Sequence, residues 1–314
     1  MVNLLAKAKK IRINKTALFL GIIILGFLIY LIFPSVFKSE SWDELFTAFN
    51  IAPEKTITEQ GDFNVHFIDV GQADCIFIKS TDKTMLIDAG NNDDGNLIAD
   101  YLKALNVNTI DLIIATHPHE DHIGGMDYII DNFEVNEIIM SKLPEHIVPT
   151  TKTYKDLLNS IKNKGLKVTP ANPDDEINMG SFDLKILAPI EEYGDLNNYS
   201  IVTKITYKNT AFLFTGDAEK QSEADILNRY DDISADLLKV GHHGSRTSTT
   251  NEFLDAVNPK YAVIMCGVKN DYGHPHKQTT DKLKGRDIEY FRTDINKTII
   301  ASSDGENITI NTKK

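Results

Sequence analysis

Cysteine and tryptophan are scarce: the 314 residues include only Cys75, Cys266 and one tryptophan. That excludes a disulfide-stapled scaffold, and both thiols fall in apolar runs (CIFI, YAVIMC) that read as buried strand residues. A basic surplus is missing too. The 33 Lys+Arg face 45 Asp+Glu, and the first 37 residues hold five of the cations and none of the acids. Positions 38–314 therefore set 28 cations against 45 acids, a balance of −17. Nucleic-acid binders usually present a basic face, so tight non-specific DNA binding is disfavoured, although a local cation site could still draw a phosphate. No internal repeat of fixed period is present, and the 42% hydrophobic content suits a globular enzyme-sized chain.

One long apolar run breaks that pattern. Thr16–Phe37 (TALFLGIIILGFLIYLIFPSVF) carries no charge over its whole length, enough for a helix to cross about 30 Å of hydrocarbon. Lys7, Lys9, Lys10, Arg12 and Lys15 precede it, and such flanks stay cytoplasmic. A cleaved signal peptide is the competing reading. The run is longer than an apolar signal core of about 7–15 residues, no Ala-x-Ala site follows, and no nearby cysteine offers a lipid anchor. A buried core helix would show an amphipathic face, and none is visible. The expected organisation is a basic cytoplasmic tail over 1–15, a single-pass anchor over 16–37, a linker over 38–61 and an outward-facing domain over 62–314.

Within that domain short β-branched and aromatic runs alternate with helical patterns. FNVHFIDV, CIFI, MLIDAG, DLIIAT, EIIM, FDLKIL, SIVTKITY, AFLFTGD, DLLKVG, YAVIMC and KTIIAS predict strands bounded by Gly, Asn, Asp or Pro. Helices are predicted near 94–105, 124–132, 152–164, 218–229, 249–257 and 277–285. Such a mixture predicts an α+β domain with helices covering sheets.

The chemistry concentrates at strand ends. DLIIAT stops at Thr116, and the next six residues present His117, His119, Asp121 and His122 ahead of Gly124 and Gly125. Positions two apart on an extended loop point the same way, so His117 and His119 can converge on one cation, with Asp121 and His122 aimed at a second. Imidazole and carboxylate are ligands for zinc, manganese or iron. Asp217 ends AFLFTGD, where a carboxylate can bridge two cations. His242 and His243 follow DLLKVG, and His274 and His276 lie in DYGHPH. Any one of these acids alone would read as a helix cap. The set is what points to a two-metal centre.

In order, DVGQADC (69–75), LIDAG (86–90), THPHEDHIGG (116–125), NNYSIV (197–202), LFTGDAE (213–219), LKVGHHGS (238–245), NDYGHPH (270–276) and FRTD (291–294) match a family. The chain resembles the metallo-β-lactamase-fold hydrolases and, within them, the extracellular hydrolase domain of the ComEC/Rec2 competence proteins. The resemblance implies a four-layer αβ/βα sandwich over 62–314, behind the transmembrane helix, with the metal cleft at one edge of two facing sheets. It also implies a hydrolase rather than the DNA pore, because the multi-span channel region has no counterpart here.

Carried over by position, His117 and His119 hold the first of two divalent ions, zinc or manganese. Asp121 and His122 hold the second, Asp217 bridges, and His242 completes the set. Asp121 orients the nucleophile. His243 and His274 become catalytic candidates, and Asn198 and Ser245 substrate contacts. Many fold members have a third histidine where this chain has Asn197 and Asn198, and many competence proteins carry Asp where His119 stands. The implied function is a membrane-anchored phosphodiesterase or nuclease. A hydrolase of a smaller phosphoester such as phosphocholine, or a non-catalytic DNA-uptake accessory, are the alternatives.

Overall fold

A computed structural model describes residues 59–312, so the expected span at 16–37 and nearly all of the linker lie outside the described residues. Among the described residues no helix is long and apolar enough to cross a membrane. Strands β1 (Phe63–Phe67), β2 (Ile76–Lys79), β3 (Thr84–Ile87), β4 (Thr109–Ala115), β5 (Glu134–Met140) and β6 (Val168–Pro170) lie side by side in chain order. A second sheet holds β7 (Glu176–Asn178), β8 (Asp183–Ala188), β9 (Val202–Tyr207), β10 (Thr210–Phe214), β11 (Leu237–Lys239), β12 (Tyr261–Ile264) and β13 (Glu289–Arg292). The chain then returns to the first sheet, where β14 (Ile299–Ser303) pairs with β1 and β15 (Ile308–Thr312) with β14.

Period-two patterning decides what each strand touches. In β1, Phe63, Val65 and Phe67 join Phe182, Phe212 and Phe214 in the core between the sheets. Phe63 stacks on Tyr207 at 4.8 Å and meets Phe182 edge-on at 5.2 Å. The alternate residues face outward onto helices. Helices α1 (Gly95–Ala104), α2 (Glu120–Ile123), α3 (Met126–Asn132) and α4 (Lys152–Asn163) follow strands of the first sheet, and Ile98, Leu102, Ile129 and Leu157 pack on its outer face. Helices α5 (Lys220–Arg229), α6 (Asn251–Val257) and α7 (Lys277–Lys284) bury Ile226, Phe253, Leu254 and Leu283 on the second sheet. The short helix α8 (Thr293–Asn296) closes the series. The predicted α+β sandwich of two helix-covered sheets is what forms.

Four strands escaped the sequence reading: β6, β7, β13 and β15. They are the edges of the two sheets. An edge strand is solvated on one side, so its apolar signal is diluted, as VTP, EIN and ITINT illustrate.

On the outer face of β1 lies the buried ring of His66, with Nδ1 2.9 Å from the Tyr101 hydroxyl and Nε2 3.2 Å from Glu59, which also pairs with Lys79. Burial depresses the His66 pKa despite Glu59, and His66 holds Glu59 below the usual carboxylate range. The unfolded chain takes up a proton at this imidazole near pH 6.5, which the folded protein resists, so stability declines on acidification below that value. His66→Asn is expected to flatten the decline in urea midpoint between about pH 6.5 and 5. A slope equal to that of the wild type would contradict this.

Candidate metal centre

Four loops converge where β4, β10, β11 and β12 end. These are carboxyl ends of strands in parallel pairs, the place where sheets with helical crossovers leave room for a ligand. After β4 the backbone at the end of α2 crowds the loop that leads into α1. A Cβ on Gly124 would lie 2.3 Å from the Asn91 carbonyl carbon and the Asn92 nitrogen, so only glycine fits. A short helix already starts at Glu120, ahead of the pattern predicted over 124–132, which puts Asp121 and His122 in its first turn.

His122 is fully buried and aimed by Asp88. Asp88 Oδ2 lies 2.7 Å from His122 Nδ1 and accepts the Thr116 hydroxyl at 2.7 Å, while its Oδ1 accepts the Thr116 N–H. The opposite nitrogen, Nε2, faces Asp217 Oδ2 at 3.3 Å. His243 enters from the second sheet, with Nδ1 3.0 Å from the Met265 carbonyl and 3.3 Å from Asp74. Its Nε2 lies 3.2 Å from Asp121 and 3.5 Å from Asp217. Asp121, His122, Asp217 and His243 thus offer donor atoms all within 4.8 Å of one another. Burial alone would depress both imidazoles. Around His122 the charges of Asp217, Asp88 and Asp121 outweigh burial and hold the ring well above the usual histidine range, and Asp217 and Asp74 hold His243 up to about 10. Burial likewise opposes ionisation of Asp217, yet His243 and His122 keep its carboxyl well below the usual range.

The first-metal pair is also brought together, with His117 Nε2 2.9 Å from His119 Nδ1. The ring of His117 lies 4.1 Å from that of His122, and its Nδ1 rests 3.2 Å from both Thr116 and Ser200 hydroxyls. Ser200 also accepts the Asp217 N–H at 3.0 Å, so one hydroxyl steadies a histidine and the central acid.

The two adjacent histidines divide differently from expectation. His242 and His243 both adopt positive φ, 50° and 52°, before Gly244 at 83°. This left-handed turn swings His243 inward and His242 to the rim. There His242 Nδ1 pairs with Glu219 at 3.1 Å while Nε2 stays 3.6 Å from Asp217. An extended-loop reading cannot foresee that reversal.

The expected substrate contacts do not face the cleft. Asn198 Oδ1 accepts the N–H groups of Glu219 and Ser222, and its amide donates to Asp195. It fastens the start of α5. Asn197 beside it does line the cleft, with a buried Oδ1 that lacks a partner. The Ser245 hydroxyl pairs with Thr247 at 2.9 Å within the loop. His274 does line the cleft, where burial and the neighbouring His243 and His242 depress it to about 4, so its ring is neutral near pH 7. Gln72 holds its Nδ1 at 3.3 Å and anchors the loop by accepting the Gly267 N–H.

Sequence reasoning missed Lys239. It is completely buried at the end of β11, and its Nζ lies 2.5 Å from Asp74. Its only signal is a lone charge in the apolar run LLKVG.

The donors suit a divalent cation. His122 Nε2, His243 Nε2 and Asp217 Oδ1 are buried without a hydrogen-bond partner, and unpaired buried donors are rare unless another group satisfies them. Nitrogen and carboxylate oxygen are what zinc or manganese accept. Because Asp88 sets the ring of His122, Asp88→Asn is expected to weaken cation affinity about 10- to 100-fold with little change in fold, measured by calorimetric titration. Unaltered affinity would remove Asp88 from the site.

The family model described as the metallo-beta-lactamase superfamily matches residues 68–268. The chain belongs to that superfamily. Among curated relatives, this superfamily member is 30% identical over 254 residues to ComE operon protein 3 of Bacillus subtilis, an alignment covering 75% of this chain and 32% of that protein. It is 25% identical over 268 residues to Competence protein ComA of Neisseria gonorrhoeae, covering 84% and 36%. Against Recombination protein 2 of Haemophilus influenzae it is 28% identical over 228 residues, covering 70% and 26%. The chain spans about a third or less of the length of these relatives. The competence-protein resemblance read from the motifs is thereby shown.

Proposed function

We propose that the chain is a two-cation phosphodiesterase that cuts nucleic acid on the outer side of a membrane, held there by 16–37. The observation that carries the hydrolytic part is the group Asp121, His122, Asp217 and His243, the last three buried with partnerless atoms, beside an open cleft of about 310 Å³. Asp217 and His122 would be shared or second-ion ligands, His117 and His119 first-ion ligands, and His243 takes the position foreseen for His242. When bound, divalent cations supply activated water near neutral pH and positive charge beside phosphoryl oxygens. The protein's own part is positional. Asp88 fixes one ring, the Met265 carbonyl and Asp74 fix another, and Asp121 at the cleft wall is placed to orient a water. His274, neutral and held by Gln72, offers a contact to a phosphoryl oxygen or a leaving group.

The competence-protein relatives and the basic-flanked apolar run support a nucleic-acid substrate outside the membrane. The −17 balance of 38–314 favours a smaller phosphoester instead, because it repels a polyanion. The purified full chain, loaded with zinc or manganese, is to be offered single-stranded DNA, bis(4-nitrophenyl) phosphate and 4-nitrophenyl phosphocholine. Cleavage of the first two, abolished by chelator and restored by the metal, is the expected result. Cleavage of the phosphocholine ester alone would favour the smaller substrate, and no cleavage with either metal would favour a non-catalytic accessory.

A further inference from the structure

At the rim of the cleft one side chain is unexplained by anything above. Tyr272 is 67% exposed. It is nonetheless well placed. Its ring stacks on His274 with centroids 5.6 Å apart and planes inclined by 21°, and His274 in turn lies 6.3 Å and 26° from His243. Three nearly parallel rings thus descend from solvent to the acid cluster, at the offset spacing aromatic pairs prefer.

The loop that carries them is firmly tied. Asn270 donates to the Gly267 and His274 carbonyls and accepts the His274 N–H. Through Gln72 the loop is also bound to the first sheet. Tyr272 is therefore a fixed platform with one open face. Arg246 is exposed close by, its backbone N–H donating to His276, the ring beside His274.

We infer that Tyr272 is a base-stacking platform that selects single-stranded nucleic acid, extending the ring series by one base while the adjoining phosphate reaches the acid cluster. This rests on the phosphodiesterase reading above. The chemistry favours a base over a choline group. A quaternary ammonium is recognised by a cage of several aromatic faces, whereas among the described residues Tyr272 is the only non-imidazole aromatic lining the cleft. A flat heterocycle needs a single open face, and only an unpaired, unstacked base can lie on one.

The test compares the full-length wild type with Tyr272→Ala and Tyr272→Phe on two esters with the same leaving group, thymidine 5′-(4-nitrophenyl phosphate) and methyl 4-nitrophenyl phosphate. In Tyr272→Ala the ratio of kcat/KM for the base-bearing ester over the base-free one is expected to fall roughly fivefold to a hundredfold, the range for one lost stack. Tyr272→Phe should keep the ratio. Stopped-flow quenching of a 2-aminopurine-bearing single strand, read before turnover, should be lost in the alanine variant only. An unchanged ratio with a wild type active on both esters overturns the platform and leaves the phosphodiesterase reading standing. A wild type that cleaves neither ester but quenches 2-aminopurine through Tyr272 sinks that reading and keeps the platform. Loss of activity on 4-nitrophenyl phosphocholine instead of the thymidine ester would assign Tyr272 to choline and overturn the proposal.

Discussion

His243→Ala is expected to lose bound metal and to lower turnover about a thousandfold, equivalent to about 4 kcal/mol of barrier. His242→Ala should keep the metal and most of the rate. The difference follows from the turn at Gly241–Gly244, which buries the first ring among Asp121, Asp217 and Asp74 and leaves the second at the rim beside Glu219. Removing His243 takes one of four donors from the buried group and exposes three carboxylates to mutual repulsion. Removing His242 breaks a partly exposed rim pair with Glu219, worth less than the buried contacts of His243. Metal content and kcat measured on both variants decide the matter. Equal losses, or a larger loss in His242→Ala, would return the ligand role to His242.

Lys239→Met is expected to destabilise the fold by about 3–5 kcal/mol, because it leaves the Asp74 carboxylate buried beside a thioether. Both side chains are essentially inaccessible, and Nζ and Oδ2 are 2.5 Å apart. For a domain whose total stability is about 5–15 kcal/mol this is a large fraction. The double variant Lys239→Met with Asp74→Asn should recover part of it, since removing both partners leaves no uncompensated charge. Urea unfolding of the single and double variants gives the coupling directly. Additive effects would mean that the pair does not act as a unit.

Much of this is legible in the sequence alone. The six helical patterns each correspond to a helix, because each repeats apolar residues at the helical period against a sheet, as Ile98, Ala99 and Leu102 do. The convergence of His117, His119, Asp121, His122 and Asp217 was legible because each follows a strand that ends on the same side of the sheets. What failed was local. The edge strands carry too little apolar signal, and the roles of His242 and His243 depend on two left-handed residues in succession, a strained choice that residue type does not announce. Asn198 looked like a polar group free for substrate, yet it caps a helix start, and its neighbour Asn197 faces the cleft instead. Lys239 was hidden because a buried cation makes sense only beside the acid it neutralises, which lies 165 positions away in the chain.

Elemental analysis of the purified full chain, equilibrated with zinc or manganese and then freed of excess, decides whether the site holds two cations. Two divalent ions per chain are expected in the wild type, and fewer in Asp217→Ala, where the acid between the two groups is gone. A wild type that turns over substrate with no bound metal, or an Asp217→Ala variant that retains both ions, would contradict this.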